Sequence, residues 1–165
     1  MKKFVVILLA CMFVFSISVS AASDTNGANV IGNVEYFDDG SYIVTSLEYI
    51  SDDSNTQTRA AGDYTVSGKK SATYYNGDDE IIWQVTVTGV FLIVPTNANM
   101  SGYCQSSKLS YVINSSSWHI SNIVENEITN NAVISCTMKR KLLGITTKTV
   151  DVDLHITCDS YGNLS

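Results

Sequence analysis

Residues 80–94 alternate with period two. Ile81, Trp83, Val85, Val87, Phe91 and Ile93 fall on one side, with Gln84, Thr86 and Thr88 on the other. That pattern predicts a long strand with one buried face. Gly89 interrupts the apolar row, which predicts a bulge or bend, and Pro95 ends the ladder. Upstream, residues 69–75 run into Asn76-Gly77-Asp78-Asp79, a hairpin signal because asparagine and glycine accept the positive φ of tight turns. A two- or four-residue loop there puts Ala72 and Tyr74 on the face of Ile81 and Trp83. A second hairpin is predicted at residues 37–42, joining 34–37 to 42–50, with the polar stretch 51–62 as a loop.

Near the C-terminus, Ala132, Ile134, Cys136 and Met138 share one face, as do Val150, Val152, Leu154 and Ile156. Asp151, Asp153, His155 and Thr157 face the other way. The connection contains Leu143-Gly144-Ile145, and parity constrains it. A two-residue loop would set an apolar row against a polar one. A three-residue loop pairs Met138 with Val150, Cys136 with Val152, Ile134 with Leu154 and Ala132 with Ile156. Leu109, Tyr111 and Ile113 make another alternating strand. Trp118, Ile120 and Val124 make one more, after the turn at residues 114–117.

Seven to nine strands with short turns and no helical pattern predict an all-β fold. The expected architecture is an antiparallel β-sandwich of immunoglobulin-like type, with a closed β-barrel as the alternative. The expected organisation is a secretory signal peptide at 1–21, an acidic N-terminal hairpin and polar loop at 22–62, and a sandwich core at 63–165. Composition agrees: serine, threonine and asparagine number 21, 15 and 13, residue types that suit strands and turns over helix interiors.

Lys2 and Lys3, the apolar run 4–15 and the small residues Val19-Ser20-Ala21 form the signal, and the mature chain is expected to start at Ala22. The apolar run is too short to span a bilayer, so no stable membrane insertion is expected after cleavage. Without Lys2 and Lys3, eight basic residues face 16 acidic ones, a net charge of -8 that repels a phosphate backbone and excludes nucleic acid as a partner. Cys104, Cys136 and Cys158 remain, allowing three pairings. Cys136 sits mid-strand on the apolar parity, whereas Cys104 and Cys158 lie at strand ends. A disulfide between Cys104 and Cys158 is therefore expected, with three reduced thiols as the alternative.

No nucleophile elbow, phosphate loop or metal-protease helix is present in the sequence, and no catalytic, cofactor-binding or metal-ligating residue is assigned. His119 and His155 both fall on outward parities. The acidic clusters at Asp38-Asp39, Asp52-Asp53 and Asp78-Asp79-Glu80 lack the spacing of a calcium loop and read as turn chemistry. Trp83 and Trp118 read as core. Tyr75, Tyr103 and Tyr161 are the candidates for a contact surface, since exposed aromatics on a rigid sheet stack on sugars or peptides.

The hairpins YFDDGSYIVT and TYYNGDDEIIWQVTVTGVF, the turn KRKLLGITTKTV and the terminal ITCDSYGNLS resemble a group of small, secreted, uncharacterised proteins of clostridial Gram-positive bacteria. The resemblance implies a fold and an exported, extracellular location, and carries no activity. The expected function is a non-enzymatic extracellular binding module contacting a glycan or protein at a cell surface. A secreted hydrolase using His119 or His155 is one alternative, and a secreted antagonist such as a bacteriocin or inhibitor is the other.

Overall fold

The computed structural model describes residues 31–50, 63–94 and 102–165. The expected signal peptide and the loop at 51–62 lie outside the described residues. Eight strands follow in order: β1 (Ile31–Tyr36), β2 (Tyr42–Ile50), β3 (Tyr64–Tyr75), β4 (Ile81–Ile93), β5 (Tyr103–Ile113), β6 (Trp118–Ile128), β7 (Asn131–Leu142) and β8 (Ile145–Thr157). They form two antiparallel sheets, β1-β2-β3-β4-β5 and β6-β7-β8. The chain is an all-β sandwich, as its one-sided strands require. Its connectivity differs from that of an immunoglobulin domain: within each sheet every strand pairs with its sequence neighbour, a meander rather than an interleaved Greek key. Short turns such as 37–41 and 143–144 favour this order, because they hold successive strands side by side. β2 pairs with both β1 and β3, and Ile43 and Leu47 are buried in the common core. The described part of 22–62 is thus continuous with the body at 63–165.

The inner rows are the alternating residues themselves. Trp83, Val85, Val87, Phe91 and Ile93 of β4 face Ala132, Ile134, Cys136 and Met138 of β7, with Val150, Val152, Leu154 and Ile156 of β8 beside them, all buried. Two-sheet packing of this kind buries one face of each strand and leaves the other wet. Gly89 lies opposite Gly68, and a Cβ on Gly89 would stand 2.7 Å from the Phe91 ring and 2.9 Å from Ala132. The glycine marks a close approach between the sheets; the irregularity in the β4–β5 ladder falls just beyond it, between Val90 and Phe91.

The β7–β8 register is the expected one, from Met138–Val150 to Ala132–Ile156. The device that sets it differs. The loop has two residues, Leu143 and Gly144, both at positive φ (49° and 81°), and a bulge opposite Arg140 and Lys141 restores the parity. A similar irregularity in β6, with Asn122 at φ 53°, turns Val124 outward against Ser135 rather than inward with Trp118.

The sheets meet at two corners. At one, the Cys104 N–H donates to Thr129 O (2.8 Å), and the β5 edge donates Ser107 N–H to Glu127 (3.1 Å) and Leu109 N–H to Glu125 (3.4 Å). At the other, Lys70 Nζ donates to His155 O (3.0 Å). The C-terminus folds back as a hook: Thr157 and Ser165 exchange backbone hydrogen bonds, and Asp159 accepts from the N–H groups of Tyr161 and Asn163, both at 2.8 Å. Leu164 is thereby buried over Gly68.

Candidate functional site

Alternation leaves Tyr42 of β2 and Tyr75 of β3 on the outer face of the larger sheet, since Ile43 and Tyr74 point inward. Tyr36 pairs with Tyr42 across β1–β2, and Tyr42 pairs with Tyr75 across β2–β3. The result is a row of three rings crossing three strands. Tyr42 and Tyr75 stack at 4.8 Å with a 9° interplanar angle, while Tyr36 and Tyr42 are tilted at 5.5 Å. Tyr36, at the end of the row, is 69% exposed. The Tyr42 hydroxyl donates to Asp79 Oδ1 (3.0 Å); partial desolvation and the neighbouring carboxylate both raise its pKa. Asn76 organises the adjoining turn through bonds to Asp78, Glu80 and the Glu80 carboxylate, setting polar groups at one end of the aromatic row.

Of the tyrosines expected at a contact surface, only Tyr75 belongs to this row. Tyr103 begins β5 opposite Leu92, and Tyr161 sits in the C-terminal hook, 77% exposed, where its carbonyl accepts the Tyr64 hydroxyl (3.2 Å). Tyr64 and Tyr75 bound a 12-residue strand, so the two groups are separated by about 35 Å. The neighbours of Tyr75 in the row are Tyr42 and, beyond it, Tyr36.

Below the row, Phe37, Tyr74, Trp83 and Trp118 form an inner aromatic cluster: Tyr74 stacks on Trp83 at 5.1 Å, and Trp118 meets Trp83 edge-on at 6.0 Å. Lys148 closes it. Its ammonium lies 4.3 Å from the Phe37 ring centroid and donates to Asp39 Oδ2 (2.8 Å), Ser41 Oγ (2.8 Å) and Tyr74 OH (3.0 Å), one acceptor for each proton. The Lys148 and Ser41 hydrogen bonds hold Asp39 down to about pKa 2. Burial pulls Lys148 downward, but its bonds to Asp39 and Tyr74 outweigh that and raise it. The pair is therefore a fixed ionic clasp between β8 and the β1–β2 turn.

On the outer face of the smaller sheet, Ser135 donates to Asp153, Thr137 donates to Asp151 (2.9 Å), and His155 Nε2 lies 3.7 Å from Asp153. Serine, aspartate and histidine meet here in the wrong order for nucleophilic catalysis. The hydroxyl bonds the carboxylate, so no imidazole is placed to take its proton. His119 is exposed on the same sheet, paired with Lys139. Among the described residues, no three histidines, cysteines or carboxylates converge as a metal-ligand set.

Cys104, Cys136 and Cys158 are thiols, Cys136 and Cys158 buried and Cys104 half-buried. Cys104 and Cys158 donate their N–H groups to successive carbonyls, Thr129 (2.8 Å) and Asn130 (3.0 Å), at one end of the sandwich. Burial pushes the Cys136 and Cys158 thiols up to about 11, with Asp153 and Asp151 adding to the rise at Cys136, and Asp159 and then Cys104 at Cys158.

Among the described residues, fold and surface define a β-sandwich with a row of three tyrosines on its larger sheet, Tyr36 exposed and Tyr42 and Tyr75 half-buried. No protein-family model matches the chain, and neither a curated protein nor a solved structure gives a significant match to it.

Proposed function

We propose that the protein is a secreted, non-enzymatic binding module whose ligand is a neutral glycan at a cell surface, held on the row Tyr36–Tyr42–Tyr75. The observation that carries this reading is the pair of ring contacts at 5.5 and 4.8 Å, which present a rigid aromatic strip on a sheet. Tyr42 and Tyr75 stack on each other and offer their edges and hydroxyls, while the exposed Tyr36 ring at the end of the row offers a face for the flat C–H side of a pyranose, and rigid tyrosines lose little conformational entropy on binding. The Asp79 carboxylate beside the row supplies an acceptor for sugar hydroxyls. The net charge of -8 from Ala22 onward disfavours sialylated or uronate-rich chains and leaves neutral ones. A glycan array probed with the chain from Ala22 should give neutral hits that Tyr36→Ala and Tyr75→Ala weaken by tenfold or more. Hits unaffected by those variants but abolished by His155→Ala would favour the hydrolase reading instead.

The extracellular setting also bears on the thiols. We propose that Cys104 and Cys158 close a disulfide by exchange with an external disulfide oxidant, which leaves as its dithiol, while Cys136 stays reduced. Non-reducing peptide mapping should recover the 104–158 link; a bridge through Cys136 would refute it.

A further inference from the structure

The tip of the β7–β8 hairpin carries three exposed apolar side chains within four residues. Leu142 is 52% exposed, Leu143 98% and Ile145 69%. Leu143 also holds φ 49°, the left-handed region in which leucine is disfavoured and asparagine or glycine is usual. The position therefore carries a leucine against both solvation and backbone preference. Residues 139–149 contain Lys139, Arg140, Lys141 and Lys148 and no acid, in a chain with 16 acidic residues. Lys148 is committed to Asp39, but Lys139, Arg140 and Lys141 form no ion pair among the described residues.

We infer that this tip docks the protein onto an anionic lipid surface, with Leu142, Leu143 and Ile145 entering the headgroup boundary and Lys139, Arg140 and Lys141 meeting lipid phosphates. Apolar side chains ringed by cations are the composition that binds anionic membranes without crossing them. A convex tip suits a fluid interface, which closes around it, better than it suits a protein groove. The acidic turns do not cancel the attraction. Arg140 is level with Lys148 and its partner Asp39, and Lys141 pairs with Thr146 beyond them, while three strand steps carry the apolar tip at Ile145 about 10 Å past that clasp. That exceeds the Debye length of about 8 Å at physiological ionic strength. The net charge of the chain, which disfavours membranes overall, does not describe this hairpin. The inference is independent of the tyrosine platform, which lies on other strands.

The test is cosedimentation of the chain from Ala22 with vesicles of phosphatidylcholine containing phosphatidylglycerol, against pure phosphatidylcholine. Binding is expected only to the anionic vesicles, weakening as salt rises. Replacing Lys139, Arg140 and Lys141 by alanine should weaken it by about fivefold for each cation removed. Leu143→Asn suits the turn better than leucine, so it should preserve or raise the melting temperature while weakening vesicle binding by about tenfold or more. A folded Leu143→Asn protein that binds as wild type would overturn the proposal, as would no binding to anionic vesicles. Equal binding of wild type and Leu143→Asn to soluble polyglutamate, with none to vesicles, would assign the tip to an acidic protein partner instead.

Discussion

At the residue scale, Lys148 and Leu143 occupy one hairpin and act in opposite senses. Lys148 makes three hydrogen bonds and a cation–π contact, so Lys148→Ala should lower stability to urea by about 1–2 kcal/mol, discounted because Asp39 is half exposed. The clasp also makes stability depend on pH. Asp39 has a folded pKa depressed to about 2, so its contribution is present above the unfolded value near 4 and is lost as pH falls from there through 2. Acid titration of unfolding should show this loss in wild type and a smaller one in Lys148→Ala; identical acid profiles would contradict the clasp. Leu143→Asn should gain about 1 kcal/mol by relieving the left-handed strain. Lys148 shares the inward parity of Val150, Val152 and Leu154, but parity alone gives a lysine no role. Its partners were not legible, because Asp39 and Ser41 come from the β1–β2 turn and Tyr74 from β3, separated from Lys148 by 109, 107 and 74 residues.

At the element scale, the strands and both β7–β8 apolar rows were legible, because burying one face of a pleated strand forces period two. The loop was not: Leu143-Gly144 reads as a poor tight turn, and the bulge that corrects its parity has no residue signature. The outward turn of Val124 was hidden in the same way, behind a non-glycine residue, Asn122, at positive φ. Gly89 was legible as special, but its reason is the sheet facing it. Gly89→Ala should cost about 1–3 kcal/mol, because the added methyl meets both Phe91 and Ala132. The terminal hook makes a similar demand on Gly68. Leu164 is buried there, and the Tyr49 hydroxyl accepts its N–H at 2.7 Å. Leu164→Ala should cost about 2–3 kcal/mol by thermal or urea unfolding, and a loss near zero would mean that the hook does not close the core.

At the scale of the whole molecule, two sheets join at corners made of side chains and single backbone bonds, and their outer faces differ in chemistry. One carries the tyrosine row; the other carries paired hydroxyls and carboxylates with an exposed histidine. The row was only partly legible. The turn at 37–41 aligns Tyr36 with Tyr42 locally, but setting Tyr75 beside Tyr42 requires the β2–β3 register, which no local turn encodes. Tyr75, Tyr103 and Tyr161 were named as candidates because no apolar row claimed them, and that criterion carries no information on which of them share an end of the sandwich. The central claim, that the protein binds a neutral glycan on this row, is tested most directly by two-dimensional NMR of the chain from Ala22, titrated with β-linked glucan and N-acetylhexosamine oligosaccharides. Shifts at the ring resonances of Tyr36, Tyr42 and Tyr75, with Tyr161 and His155 unmoved, are the expected result. No shifts with any of these sugars, or shifts centred on Ser135, Asp153 and His155, would contradict it.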